Sequence, residues 1–175
     1  MIRAYLQNQR GAAAVEFAMM LGVFTVALPS VVDLGIYAYD QMQVQNSAQM
    51  GVQAIWAACT QLPATDSSLC PGGSAAVTTA VQQTSLGTAV TVSNVTEAYD
   101  CANASGVLTA VGSTGTFASP LAAAAATCPN GSLTTSAGDY VSVTVTYTYS
   151  PVFSHASVAS LLGTTITSTA VMRLL

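Results

Sequence analysis

Glu16 is the residue whose position most clearly implies a chemical task. It follows Gly11 by five residues at the start of a long apolar segment, and no Lys or Arg occurs between Gly11 and Ala170. A charge at the end of a membrane helix costs free energy unless it is paired, and such charges usually mark function. Glu16 therefore either stays in the lipid headgroup layer or meets a positive charge that comes from outside the chain.

Other residues with catalytic chemistry form no convincing site. His155 is the single histidine, and the chain has no G-x-S-x-G stretch that would present a serine nucleophile to it. Glu97 and Asp100 could form an acidic pair, although this spacing is more typical of a solvated turn. We therefore predict a protein that is not an enzyme and needs no cofactor. A secreted hydrolase that depends on His155 remains an alternative.

Four cysteines, Cys59, Cys70, Cys101 and Cys128, follow the apolar segment. An even number of cysteines in an exported domain favours two disulfides, for which three pairings exist. We prefer Cys59 with Cys70 and Cys101 with Cys128, because neighbours in sequence pair most readily. A metal site is disfavoured, since no two cysteines are closer in sequence than Cys59 and Cys70, and His155 has no partner at the spacing of metal ligands.

Composition excludes one large class of function. The chain has 175 residues, of which 51% are hydrophobic and only 6% are charged, with three arginines and no lysine. Three arginines cannot form the basic surface that nucleic-acid binding requires. Arg3 and Arg10 precede the apolar segment, and their positive charge keeps the residues before the segment in the cytoplasm. The residues after the segment should therefore be exported.

The apolar segment has the length of a membrane-spanning helix. Residues 17–32 carry no charge, and residues 12–39 are mostly apolar, which is enough to cross a hydrocarbon core about 30 Å thick. Pro29 lies inside this segment and should kink the helix rather than end it. A cleaved signal peptide is the alternative, but no convincing cleavage site follows the run.

The helical pattern continues beyond the membrane segment to about residue 58. Glutamines recur at every fourth position from Gln41 to Gln53, and an apolar stripe accompanies them: Val44, Ala48, Val52, Ile55, Trp56 and Cys59. A helix over residues 12–58 would be roughly 70 Å long.

The remainder of the chain predicts a small antiparallel sheet with short helices. Residues 140–149 alternate apolar and hydroxyl side chains without a break, which indicates a strand with one buried face. Residues 90–92 and 165–174 also read as strands, and residues 74–86 and 154–162 as short helices. We expect loops over residues 103–138. The predicted fold class is α+β: a long N-terminal helix, partly transmembrane, followed by a small antiparallel β-sheet domain.

The N-terminal residues resemble a known family. The stretch Arg10-Gly11-Ala12-Ala13-Ala14-Val15-Glu16-Phe17-Ala18, with Pro29 downstream, looks like the TadE/TadG-like minor pilins of the tight-adherence (Tad/Flp) pilus. The likeness covers about the first 40 residues, and a weaker one covers the C-terminal end. Phe17 departs from the major pilins of this system, which more often carry tyrosine there. Those pilins are also much shorter, which points to a minor pilin here.

This resemblance implies a processing site and a subunit-assembly role. A prepilin peptidase would cut between Gly11 and Ala12, within a motif that includes Glu16 and Phe17. The new α-amine of Ala12 would then pair with the Glu16 carboxylate of the same chain or of a neighbouring subunit. The implied partners are other pilin subunits, the peptidase and the assembly platform of the bacterial inner membrane. The implied location is that membrane, with a periplasmic C-terminal domain, or an extracellular pilus.

The resemblance also divides the chain into three parts. Residues 1–11 would be a leader peptide, and residues 12–58 a long helix with a transmembrane part (12–39) and an amphipathic part (40–58). Residues 59–175 would form an exported, disulfide-stapled domain. A membrane-anchored binding protein or adhesin with no role in pilus assembly is the main alternative.

Overall fold

A computed structural model describes residues 9–59, 73–116, 127–129, 132–133, 136–153 and 157–174. Helix α1 spans Gln9–Cys59 and helix α2 spans Gly73–Val81. The strands are β1 (Val90–Ala102), β2 (Leu108–Thr116), β3 (Gly138–Thr148) and β4 (Thr165–Arg173). Short 3-10 helices occupy Gly87–Ala89 and Val158–Leu161. The predicted α+β class, a long helix followed by a small antiparallel sheet, is confirmed.

The four strands form one antiparallel sheet in the order β2-β1-β3-β4. Strand β3 contains the residues that alternate without a break from residue 140 onward. It is a central strand of the sheet, paired with β1 on one side and β4 on the other. Its apolar members Val141, Val143 and Val145 are fully buried. Its hydroxyl side chains lie on the opposite face, where Thr144 Oγ1 is 2.8 Å from Thr169 Oγ1.

The chain divides into two compact units. The first contains the described residues up to Tyr39 and the segment Tyr149–Thr164, and the second contains Asp40–Thr148 and the chain from Thr165 onward. The second unit holds the main core, in which α1 contributes Val44, Ala48, Val52 and Ile55 and α2 contributes Val77 and Val81. The predicted apolar stripe is thus confirmed at these positions of α1. Trp56 was assigned to the same stripe, and this was wrong, because 46% of its surface is exposed.

Gly51 allows α1 to approach α2 and β3 closely. A Cβ atom at this position would lie 2.9 Å from Val81 Cγ2 and 3.0 Å from Val143 Cγ1. Valine side chains are short and cannot swing away, so a larger residue would force the elements apart.

Gly51→Val should therefore lower the free energy of unfolding by about 1–3 kcal/mol, the usual cost of overpacking a core. Thermal unfolding in detergent, followed by circular dichroism, measures the loss. Gly35→Val is the matched control on the same helix, because a Cβ atom there would meet nothing within 4 Å among the described residues. Equal melting temperatures for the two variants would contradict the close approach.

Two expectations for the second half of the chain were wrong. Residues 103–138 were predicted as loops, but residues 108–116 form the edge strand β2, which pairs with the second half of β1. Its sequence has no regular apolar alternation, so the pairing rather than the local pattern produces the strand. The helix expected over residues 74–86 ends at Val81.

One disulfide is present among the described residues. It joins Cys101 to Cys128, with 5.7 Å between the Cα atoms, and so links the end of β1 to the chain before β3. This is the pairing favoured above from sequence proximity. Cys70 lies outside the described residues, so the proposed partner of Cys59 stays a prediction.

Candidate functional site on the N-terminal helix

The first half of α1 has no cover within the described chain. Every residue from 11 to 28 is exposed, and the exposed side chains include large apolar ones: Phe17 (67%), Met19, Met20, Leu21, Val23, Phe24, Val26 and Leu28. A helix that is apolar on all sides is stable only in lipid or inside a helix bundle. The span Gly11–Ala58 is long and apolar enough to cross a membrane, with a mean hydropathy of 1.9 in its most apolar window.

Glu16 lies on this uncovered part of α1. Its side chain is exposed, and among the described side chains it has no ion-pair or hydrogen-bond partner. In lipid, such a carboxylate needs a cation to offset its desolvation. The structure thus leaves Glu16 available for a partner from another source.

Gly11 and Ala12 are exposed residues near the beginning of α1, which starts at Gln9. A Cβ atom at Gly11 would meet nothing within 4 Å among the described residues. Packing within the described chain therefore does not require glycine here. If glycine is required at position 11, the requirement comes from outside the described chain, for example from a peptidase that binds this part of the helix.

Helix α1 runs through Pro29 without interruption. Next to it, the Ser30 hydroxyl donates a hydrogen bond of 2.9 Å to the Val26 carbonyl. Hydroxyl groups near a proline help the helix to satisfy its backbone in an apolar environment. The kink expected at Pro29 stays a prediction.

Asp33 anchors a distant segment to the apolar helix. Its carboxylate is fully buried and accepts hydrogen bonds from the backbone amides of Val152 (3.0 Å) and Phe153 (3.2 Å). Both carboxylate oxygens are therefore used, one for each amide. We call the segment Tyr149–Thr164, which belongs to the same compact unit as this part of α1, the docked segment.

Two more contacts fix the docked segment on α1. The Tyr149 hydroxyl donates to the Asp33 carbonyl at 2.9 Å, and the Tyr149 ring meets the Tyr37 ring edge-on at 5.1 Å between centroids. The Val158 amide donates to Ser30 Oγ at 3.3 Å. These contacts cover one face of α1 from Ser30 to Tyr37, just after its fully exposed part.

Sequence reasoning treated Asp33 only as the charged boundary of the apolar run, and it missed the docked segment. The sequence does contain one indication of such a contact. Asp33 is a single acid within an otherwise uncharged stretch, with residues 17–32 before it and residues 34–39 after it. Such a residue needs partners, but the sequence does not show that they come from residues 152 and 153. His155 lies outside the described residues, so the structure does not test the hydrolase alternative that depends on it.

The acidic pair considered for Glu97 and Asp100 does not form, because the two residues alternate to opposite faces of β1. Glu97 instead lies 1% exposed on the inner face, where its carboxyl group hydrogen-bonds to that of Asp139 on β3. Burial raises the pKa of Asp139, and the hydrogen bond with Glu97 partly offsets this rise. Burial also raises the pKa of Asp100.

These raised pKa values predict that mild acid stabilises the protein. A carboxyl group with a higher pKa in the folded state binds protons more tightly there than in the unfolded state. The free energy of unfolding should therefore rise as the pH falls from neutral towards the ordinary carboxyl pKa of 3.8. Melting temperatures across this range test the prediction, and Asp139→Asn should flatten the rise. A melting temperature that falls on mild acidification would contradict it.

Metal chemistry receives no support from the part of the chain that the structure describes. No group of three or more His, Cys, Asp or Glu side chains there could hold an ion.

Comparison with known proteins gives one match. Residues 11–53 match the family described as TadE-like protein, which confirms the resemblance over α1, including Gly11, Glu16 and Asp33. No curated protein and no solved structure matches the chain. The matched family consists of structural proteins associated with the Tad pilus, and the match covers less than half of the chain.

Proposed function

We propose that this chain, whose residues 11–53 match the TadE-like family, is a minor pilin or pseudopilin of a Tad-type pilus. Its task would be to prime or tip the filament, which serves adhesion or surface attachment. The observation that supports this best is the uncovered apolar helix over residues 11–28 with the exposed Glu16 near its start.

The proposed mechanism begins with proteolysis. A prepilin peptidase removes residues 1–11, and with them Arg3 and Arg10. The new α-amine on Ala12 is a cation at neutral pH. It supplies Glu16 with the positive charge that residues 11–170 lack.

The resulting ion pair sets the register of one helix against the next. Removing one partner of a buried ion pair is strongly unfavourable, so only arrangements that join amine and carboxylate are stable in lipid. The small side chains of residues 12–14, together with Gly22, let neighbouring helices approach closely. A Cβ atom at Gly22 would meet nothing within 4 Å among the described residues, so this face is open to another helix.

The proposed location follows from the arginines. Arg3 and Arg10 hold the leader in the cytoplasm of a bacterial cell, and the residues after the apolar part of α1 reach the periplasm. The partners are other pilin subunits through α1, the prepilin peptidase and the assembly platform in the inner membrane.

Gly11→Leu should block processing, because a peptidase that accepts only glycine before the cleaved bond cannot place a bulky side chain there. Intact-mass measurement of membrane fractions should then detect a precursor that is heavier by residues 1–11. Gly22→Leu is the matched control within the same exposed part of α1 and should be processed normally. Normal processing of Gly11→Leu would contradict the proposed cleavage site.

The alternatives predict other N-termini. A membrane-anchored binding protein or adhesin without an assembly role keeps Met1. A secreted hydrolase begins beyond Asp33 and loses activity when His155 is replaced. The minor pilin begins at Ala12.

A further inference from the structure

The docked segment exposes large apolar side chains next to the uncovered part of α1. Leu161 is 86% exposed, Val152 66%, Val158 50% and Phe153 42%. The segment contains no Asp, Glu, Lys or Arg, and its single titratable side chain of physiological pKa is His155. Among its described residues, the large exposed side chains are therefore apolar and carry no formal charge.

This apolar surface continues onto α1. The docked segment is held at Ser30 and Asp33, and exposed apolar residues of the helix surround these positions: Leu28 (61%), Val31 (67%), Val32 (49%) and Leu34 (41%). Asp33 lies five residues after Leu28, or about 7.5 Å along the helix axis. The segment is thus fixed where the fully exposed helix ends.

Three backbone amides of the docked segment donate hydrogen bonds to side chains of the helix at the same place. The amides of Val152 and Phe153 are satisfied by the Asp33 carboxylate, and the amide of Val158 is satisfied by Ser30. Irregular backbone enters an apolar medium only when its hydrogen-bonding groups have partners within the protein. Asp33 and Ser30 meet this condition for these three amides, which lie beside the exposed side chains of Val152, Phe153 and Val158.

We propose that the docked segment inserts its apolar side chains into the interfacial layer of the bilayer and forms a second membrane contact beside α1. An uncharged, apolar surface that continues a membrane span fits lipid, and aromatic and aliphatic side chains favour this layer. The inference rests on the membrane location of α1 in the proposed function. It requires neither cleavage at Gly11 nor incorporation into a pilus.

Tryptophan probes in the full chain, reconstituted into vesicles with brominated acyl chains, test this contact. All probes are placed in a Trp56→Phe background, which removes the single native tryptophan. Phe153→Trp and Leu161→Trp report on the docked segment, and the high exposure of Leu161 leaves little packing for its variant to disturb. Phe24→Trp reports on α1, and Leu133→Trp, at a 65% exposed site in the second unit, is the aqueous control.

Both probes of the docked segment should show blue-shifted emission and a clear loss of intensity in brominated lipid, as Phe24→Trp should. Leu133→Trp should keep its intensity and remain accessible to aqueous acrylamide. The inference fails if the docked-segment probes are quenched by acrylamide alone while Phe24→Trp is quenched by lipid. Protection from both quenchers would also overturn it, because another protein chain would then cover the segment. An unquenched Phe24→Trp would instead refute the membrane location of α1, and with it the proposed function.

Discussion

Glu16→Gln should insert normally into the membrane but almost disappear from assembled pili. The substitution keeps the size and shape of the side chain and removes the charge that the processed N-terminus would pair with. An amide in place of the carboxylate leaves the α-amine of Ala12 without its counter-ion in lipid, where an unpaired charge is costly. Immunoblots of membrane fractions measure how much of the chain is inserted, and immunoblots of sheared filaments measure how much is incorporated into pili.

Glu16→Asp is the control that separates charge from shape. It keeps the carboxylate on a shorter side chain and should restore part of the incorporation that Glu16→Gln loses. Thr25→Val is the control for a polar group elsewhere on the same exposed helix, since Thr25 Oγ1 donates a hydrogen bond of 2.8 Å to the Gly22 carbonyl of its own helix. Filaments with normal amounts of the Glu16→Gln chain would argue against the ion pair as the assembly device.

Asp33→Ala should release the docked segment from α1. The substitution removes the carboxylate that accepts hydrogen bonds from the amides of Val152 and Phe153, and a hydrogen bond to a charged group contributes about 1.5–3 kcal/mol. Hydrogen exchange by mass spectrometry in detergent should show faster exchange of these two amides and of the Val158 amide. Peptides from β3 should change little, because their hydrogen bonds lie within the sheet.

Asp33→Asn provides the matched control for this variant. Its side-chain oxygen can still accept one of the two amide hydrogen bonds, whereas the NH₂ group can accept neither. Exchange rates in the docked segment should therefore fall between those of the original chain and Asp33→Ala. Unchanged protection of residues 152 and 153 in Asp33→Ala would contradict the anchoring role of the carboxylate.

The sequence was most informative where a pattern repeats over many residues. The long helix and the strand around residue 140 both follow from such periodicity, and the buried positions Val44, Val52 and Val143 match the expected faces. The Gly11–Glu16 spacing identified the family that matches residues 11–53. These are local signals, which a single sequence carries without knowledge of the tertiary structure.

Features that depend on residues far apart in the chain could not be predicted from local sequence patterns. The edge strand over residues 108–116 forms because β1 offers it a partner, and its Gly-, Ser- and Thr-rich sequence has weak strand preference of its own. The partners of Asp33 are more than one hundred positions away, at residues 152 and 153. The Glu97–Asp139 pair depends on the register of β1 against β3, which alternation alone does not determine.

In the proposed mechanism, proteolysis creates the positive charge that Glu16 needs, and the processed helix then joins a filament. The most direct test is the intact mass of this chain in filaments sheared from the producing cells, with its N-terminus read by sequencing. We expect the chain in these filaments to begin at Ala12. Filaments that contain the chain with Met1 and the leader still attached would contradict it.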